Sequence, residues 1–236
     1  MMLEVDALTT RYGALTALHD ASLRVDAGEV VALVGPNGAG KTTLLASVVG
    51  LLQPSSGTIR FAGTTITGND PAANLAAGLA LVPERRRIFK DLTVAENLRL
   101  AGNTVAKSLR KPRMEQMAEL FPVLREKWDV SAGYLSGGQA QQLAVARALM
   151  SEPKLLLLDE PCLGLSPTMV DVIFELIDTL RAQGRTILVV EQQAQRVLTI
   201  ADRGYVLRTG EIVAEGAGPD LAGRPDLFEA YVGGSS

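Results

Sequence analysis

Apolar residues in this chain come in short unbroken runs. Val30-Val-Ala-Leu-Val34, Gly78-Leu-Ala-Leu-Val82, Lys154-Leu-Leu-Leu-Leu158 and Thr186-Ile-Leu-Val-Val190 are the clearest. Continuous rather than alternating apolarity predicts strands buried on both faces, the habit of a parallel sheet covered by helices. Each run stops abruptly at polar or special residues: Gly35, then Pro83-Glu84-Arg85-Arg86-Arg87, Asp159-Glu160 and Glu191-Gln192. In open α/β sheets ligands bind just beyond the carboxyl ends of the strands.

Other elements follow from other periods. Residues 3–8 and 21–25 alternate and predict short strands, with Thr9–Asp20 as the connection and Tyr12 in its turn. Residues 57–61 and 64–66 predict a hairpin, and Arg203–Leu207 with Glu211–Ala214 predict another. Thr43–Gly50 predicts a helix with Gly50 near its C-cap, and Pro71–Ala77 a short one. From Ile88 to Gly133 the pattern is helical. Thr93 stands three residues before Glu96, a capping box, and Pro112–Leu120 begins a second helix with proline near its first turn. Residues 88–135 are therefore expected to be a helical insertion in an α/β core formed by 1–87 and 136–236, all within a single domain. Beyond Gly216 a loop and a short helix over Asp226–Tyr231 are expected.

Composition changes this picture little. The 236 residues are 47% hydrophobic, enough for a sizeable core. The net charge of −3 argues against nucleic acid as the main partner, which would leave a basic footprint. A single cysteine, Cys162, excludes an intrachain disulfide and fits a reducing compartment; a small buried filler is the expected role of its side chain. Neither a signal peptide nor a run of about 18 apolar residues is present, so a soluble chain is expected. The only histidine, His19, is expected at the surface.

The chemistry concentrates at the strand ends. Gly35-Pro-Asn-Gly-Ala-Gly40-Lys41-Thr42-Thr43 follows a strand and opens a helix, and it fits the phosphate-loop pattern. Gly35, Gly38 and Gly40 allow consecutive N–H groups to face phosphate oxygens, and the helix dipole favours anions there. Lys41 can reach β- and γ-phosphates, and the Thr42 hydroxyl can ligate Mg²⁺. Adjacent carboxylates Asp159 and Glu160 at the end of a leucine strand are costly unless a metal or substrate uses them. Leu135-Ser136-Gly137-Gly138-Gln139 precedes a helix reaching Met150. Two glycines in a first helical turn each cost about 1 kcal/mol of propensity, which makes sense where an anionic group must approach the backbone. The basic cluster Lys107, Arg110, Lys111, Arg113 reads as a solvated face, with lipid headgroups as the sharper alternative.

Taken together these residues resemble the ATPase subunits of ABC transporters, over nearly the whole chain. The implied fold is the P-loop NTPase ABC ATPase fold: a RecA-like core, an N-terminal antiparallel β subdomain and a helical insertion. The resemblance implies ATP and Mg²⁺ as cofactors. Pro36, Asn37, Ala39 and Thr43 would join the glycines, Lys41 and Thr42 around the phosphates, and Tyr12 would stack on adenine. Thr42 and Asp159 would hold Mg²⁺, and Glu160 would be the general base. Ser136, Gly137, Gly138 and Gln139 would contact the ATP bound by a second ATPase subunit, in a head-to-tail sandwich. Two transmembrane permease subunits would dock on the helical insertion, with an extracytoplasmic solute-binding protein as indirect partner. The implied place is peripheral, on the cytoplasmic face of the inner membrane.

Three positions depart from the commonest family pattern. Glu84 stands where glutamine is usual, Ser166 where aspartate is usual, and Gln192 where a histidine is usual. With Val82–Phe89 and Leu163–Pro167 they resemble one of the two ATPases of branched-chain amino acid uptake systems. Uptake ATPases for urea or short-chain amides are similar, and a non-transport ABC ATPase is the remaining alternative. Gln192 can donate to a γ-phosphate but cannot titrate near neutrality, so a weaker hydrolytic site paired with a non-identical ATPase is expected.

Overall fold

The computed structural model describes residues 1–224 and Leu227. The helix expected over Asp226–Tyr231 lies, Leu227 apart, outside the described residues. Two sheets organise the rest. One has the strand order β10-β9-β3-β8-β7-β6. Its strands are β3 (Val30–Val34), β6 (Leu79–Val82), β7 (Leu155–Asp159), β8 (Thr186–Glu191), β9 (Arg203–Arg208) and β10 (Glu211–Ala217). All neighbours pair in parallel except β10 with β9. The second sheet is antiparallel, in the order β2-β1-β4-β5: β1 (Leu3–Tyr12), β2 (Leu15–Val25), β4 (Ser56–Phe61) and β5 (Thr64–Thr65).

Burial of β3 shows why unbroken apolar runs mark the central strands. Val30, Ala32 and Val34 pack into one core and Val31 and Leu33 into another, and all five are fully buried. The second core lies between the two sheets and encloses helix α1 (Lys41–Val48) through Leu44, Leu45 and Val48. Tyr205 of β9 ties the sheets together: it is buried, and its hydroxyl accepts the Arg24 N–H of β2 at 3.1 Å. The first core is covered by helices, among them α6 (Gly137–Leu149), α7 (Pro167–Ala182) and α8 (Ala194–Ile200).

Residues between β6 and α6 are helical: α3 (Val94–Ala101), α4 (Lys107–Leu120) and α5 (Pro122–Glu126). Thr93 caps α3 as expected, its side chain accepting the Glu96 N–H while the Glu96 carboxylate accepts the Thr93 N–H. The basic residues on α4 are exposed or partly exposed. Lys111 pairs with Glu115, and Arg113 pairs with Glu152.

The structure differs from expectation in several places. The first two strands are longer than 3–8 and 21–25, and the segment Thr9–Asp20 is mostly strand. The turn between them is Gly13-Ala14, so Tyr12 ends a strand instead of lying in a turn. Register shifts break the pairing of β1 with β2, and Ala7 and Asp20 carry positive φ there. Such bulges shift the two-residue period and hide a strand from pattern reading. Likewise β10 runs on to Ala217 and is followed by a helix, α9 (Gly218–Ala222), where a loop was expected. Pro112 lies inside α4, not at its start. Packing of Met117 and Ala118 holds that helix through a residue that contributes no N–H to it.

Pro112 is exposed, so its removal should relieve the lost helix bond without opening a cavity. We expect Pro112→Ala to stabilise the chain by about 1–3 kcal/mol. Thermal melting checks this; an unchanged or lower midpoint would show that the helix is already relaxed around the ring.

Candidate nucleotide site

The carboxyl ends of β3, β6, β7 and β8 converge on one edge of the parallel sheet. The loop after β3 folds back there. Gly40 has φ +108 and is the N-cap of α1, a conformation that favours glycine. Gly35 serves differently from expectation. A Cβ on it would lie 2.3 Å from the Leu207 carbonyl oxygen, so its small size permits backbone contact with β9.

Lys41 is almost completely buried. Its Nζ donates to the carbonyls of Gly35 at 2.8 Å and Pro36 at 3.1 Å, and it pairs with Glu160 Oε1 at 3.2 Å. Beside it, Thr42 Oγ1 donates to Asp159 Oδ1 at 3.4 Å. The phosphate loop and the carboxylate pair, far apart in sequence, are thus in contact. Asp159 lines a separate neighbouring cleft, while a cavity of about 410 Å³ opens over the loop and Glu160. Asn37, Gly38, Gly40, Lys41, Thr42, Thr43, Glu84 and Glu160 line it, joined by Ala17 and Leu163, which sequence reasoning missed. Nothing in their side chains marks Ala17 and Leu163 beforehand; both arrive through tertiary folding.

Gly35, Pro36 and Ala39 form the loop behind this lining, with the Ala39 N–H donating to the Pro36 carbonyl at 3.2 Å. Tyr12 stands at the margin. Its ring is half exposed and its hydroxyl lies 3.5 Å from Thr43 Oγ1. Gln192 follows Glu191 at the end of β8; its side chain is exposed and outside the lining. Ser166 precedes α7 without a side-chain capping bond.

Ser136, Gly137, Gly138 and Gln139 are not brought to this cavity. They open α6, where Ser136 and Gln139 form a reciprocal capping box. The two glycines are not equivalent. A Cβ on Gly138 would lie 2.1 Å from the Met169 methyl, so a larger residue there would have to displace that flexible side chain. At Gly137 a Cβ would meet only ordinary contacts, the nearest at 3.6 Å. Its exposed position leaves the start of α6 open to a group from outside the chain.

Burial governs the charge state of the carboxyls. Asp159 is pushed from its ordinary 3.8 up to about 6, first by desolvation; the Thr42 hydrogen bond and Lys41 oppose this, and the charges of Glu160 and Glu84 add to it. Glu191 is also raised by burial. Cys162 is buried, and desolvation with the neighbouring Glu191 charge pushes its thiol well above the ordinary range, which fits an inert filler. Among the described residues no cluster of three or more His, Cys, Asp or Glu can hold a metal alone. The Thr42 hydroxyl and the Asp159 carboxylate are nevertheless hard oxygen donors side by side, which fits Mg²⁺ completed by phosphate oxygens.

Between about pH 4 and 6 the folded Asp159 keeps a proton that the unfolded chain has lost. It therefore lowers the stability of the ligand-free fold as pH rises through that window. We expect Asp159→Asn to stabilise the ligand-free chain at pH 7 by on the order of 2–3 kcal/mol, with the gain vanishing near pH 4. Melting curves across that range check it, and a gain independent of pH would contradict it.

Comparison with known proteins places this geometry. Residues 18–163 match the ABC transporter family. The chain is 47% identical to the high-affinity branched-chain amino acid transport ATP-binding protein BraG of Pseudomonas aeruginosa, covering 99% of this chain and 100% of that one. It is 40% identical to the probable branched-chain amino acid transport ATP-binding protein LivF of Archaeoglobus fulgidus, over 93% and 94% of the two chains. Among solved structures, the ATP-binding cassette MJ1267 of an ABC transporter is similar with a TM-score of 0.88 and 31% identity, covering 98% of this chain and 99% of that one. The family match, the identity to these relatives and the shared fold agree: the chain belongs to the ABC transporter family.

Proposed function

We propose that this chain is the ATP-binding and ATP-hydrolysing subunit of an importer for branched-chain amino acids. The observation that carries the chemistry is the buried contact of Lys41 with Glu160 next to that of Thr42 with Asp159. The cargo reading rests on the likeness to BraG and LivF, whose names state it.

In this reading Lys41 exchanges its loop carbonyls for the β- and γ-phosphate oxygens of ATP, and the loop N–H groups cradle the same anions. Thr42 and Asp159 would hold Mg²⁺, which would neutralise charge on the phosphates. Glu160, freed from Lys41, orients the attacking water and takes its proton. Glu84 faces the same cavity as a further acceptor for water. Gln192 donates its amide to the γ-phosphate, and Tyr12 packs against the base. Phosphoryl transfer is mostly positioning and charge compensation, so this set suffices.

A single chain holds only part of the site. Ser136, Gly137, Gly138 and Gln139 lie outside its own cavity and serve the cavity of a second ATPase subunit, in a head-to-tail sandwich. A cleft of about 530 Å³ lies between α1, α2 (Pro71–Ala77), β6, α3 and α6. Its walls are apolar, with Arg86, Arg87 and Arg147 among them. This cleft, on the flank of the helical insertion 88–135, accepts a cytoplasmic segment of a transmembrane permease, and two permeases bind the ATPase pair. The chain thereby sits peripherally at the inner face of the membrane, with the solute-binding protein reached only through the permeases. Thr42 lines both cleft and cavity, so a segment seated in one is felt in the other.

Lys41→Ala should abolish tight MgATP binding measured by calorimetry, whereas Glu160→Gln should bind MgATP and release no phosphate. Undiminished affinity in the first, or wild-type turnover in the second, would reject the assignment. Cargo is tested by uptake of radiolabelled leucine into vesicles carrying the assembled transporter; uptake of urea or short-chain amides but not of leucine would overturn that part.

Gln192→His should raise turnover at this site, because imidazole both donates to phosphate and titrates near neutrality. Gln192→Ala should lower it by less than the roughly 2.7–4 kcal/mol of a lost transition-state donor. Single-turnover phosphate release measures both. No response to either variant would leave Gln192 without a role in hydrolysis.

A further inference from the structure

Glu191 closes β8 and is buried, with 3% of its surface exposed. An ionised carboxylate in such a place is expensive unless both oxygens are satisfied. Both are. Oε1 accepts the Cys162 N–H at 3.0 Å, and Oε2 accepts the Gln192 N–H at 3.2 Å.

The two donors belong to the two segments that matter most for hydrolysis. Cys162 is two residues past Glu160, in the same tight turn, which the Leu163 N–H closes on the Glu160 carbonyl at 3.1 Å. Glu160 itself has φ 46, the left-handed region that a residue with a Cβ rarely occupies. A backbone held there must be fixed by its surroundings. One fixing bond is the Glu160 N–H to the Val190 carbonyl at 2.8 Å. The Glu191 carboxylate supplies another to the same turn, one residue along β8. Its other oxygen holds the start of the loop that carries Gln192.

We propose that Glu191 is a positioning residue for ATP hydrolysis: its carboxylate clamps the Glu160 turn and the Gln192 loop into one register, so that water and γ-phosphate meet both groups at once. This rests on the reading of Glu160 as general base. Glu191 does not line the cavity; it acts through two backbone amides. No other residue type of similar size does this. Glutamine has the same shape but only one acceptor, and its NH₂ would confront one of the two N–H donors. Aspartate keeps the charge but is a methylene shorter. The single cysteine is a built-in reporter, because its own N–H is one arm of the clamp and its thiol is buried behind it.

The test uses the full chain and the variants Glu191→Gln and Glu191→Asp. We expect kcat to fall about 10–100-fold in both, with KM and MgATP affinity within about threefold of wild type. The thermal midpoint should stay within about 5 °C. Cys162, slow to react with a maleimide in the wild type, should label readily in Glu191→Gln. Adding Gln192→Ala to Glu191→Gln should cost nothing further, because the glutamine is already out of line. Wild-type kcat in both variants overturns the proposal. So does a parallel loss of kcat, MgATP affinity and thermal stability, or a failure of both variants to fold, since either marks a purely structural carboxylate. Glu160→Gln measured alongside separates the two ideas: wild-type turnover there sinks the general-base reading itself, whatever Glu191 does.

Discussion

A buried ammonium organises the working edge of this molecule. Lys41 is 4% exposed, so its charge must be answered by the protein. Two loop carbonyls and the Glu160 carboxylate do so. Removing one partner of a buried pair typically costs about 3–5 kcal/mol because the other is stranded. This constraint forces the loop after β3 and the turn after β7 into contact, and that contact requires β3, β8 and β7 to lie side by side with their carboxyl ends level. Phosphate oxygens offer the ammonium a stronger partner than carbonyls do, so the same arrangement that strains the ligand-free site favours an anion in it.

The central strands were legible because burial on both faces leaves a signature that needs no partner to interpret. Val30–Val34 and Leu155–Leu158 could hardly be anything else, and each run stops at the residue where the chemistry begins. The capping box at Thr93 was legible for a similar reason: all its bonds lie within four consecutive residues. Strands β1 and β2 were only half visible. Their bulges at Ala7 and Asp20 are set by pairing across the sheet, and nothing local announces them. Pro112 misled for the converse reason. Its local preference for a first turn is real, but tertiary packing carried α4 past it.

At the site, residue types could be read but not their neighbours. The phosphate loop, Asp159 and Glu160 were named from the chain, and the structure brings them together. Gly35 was read for backbone freedom, yet its position demands smallness against Leu207. Gly138 is expected to give access to an anion, yet it also packs against Met169, whereas Gly137 carries that argument with no such neighbour. A glycine in a motif can answer to the ligand, to a packing neighbour or to the backbone, and the sequence carries the same letter for all three. Glu191 shows the same limit for charge. It ends an apolar run just as Asp159 does, but only the Cys162 and Gln192 amides around it distinguish a backbone clamp from a ligand-facing carboxylate.

The carboxylates at this edge are not redundant. Burial pushes both Asp159 and Glu191 up, but the Thr42 hydroxyl opposes it at Asp159, whereas two backbone N–H groups oppose it at Glu191. The first arrangement leaves a charge wanting a cation; the second leaves it satisfied within the protein. One chain therefore separates two uses of the same functional group within a few residues of the strand ends. Crowding of this kind destabilises the ligand-free fold, and phosphate with its counter-ion relieves it by supplying the charges the site lacks. The open start of α6 is the part that this relief cannot reach within one chain, since Gly137 lies outside the cavity. In the proposed head-to-tail sandwich a second subunit would meet that part, and ligand binding and subunit closure would become a single event.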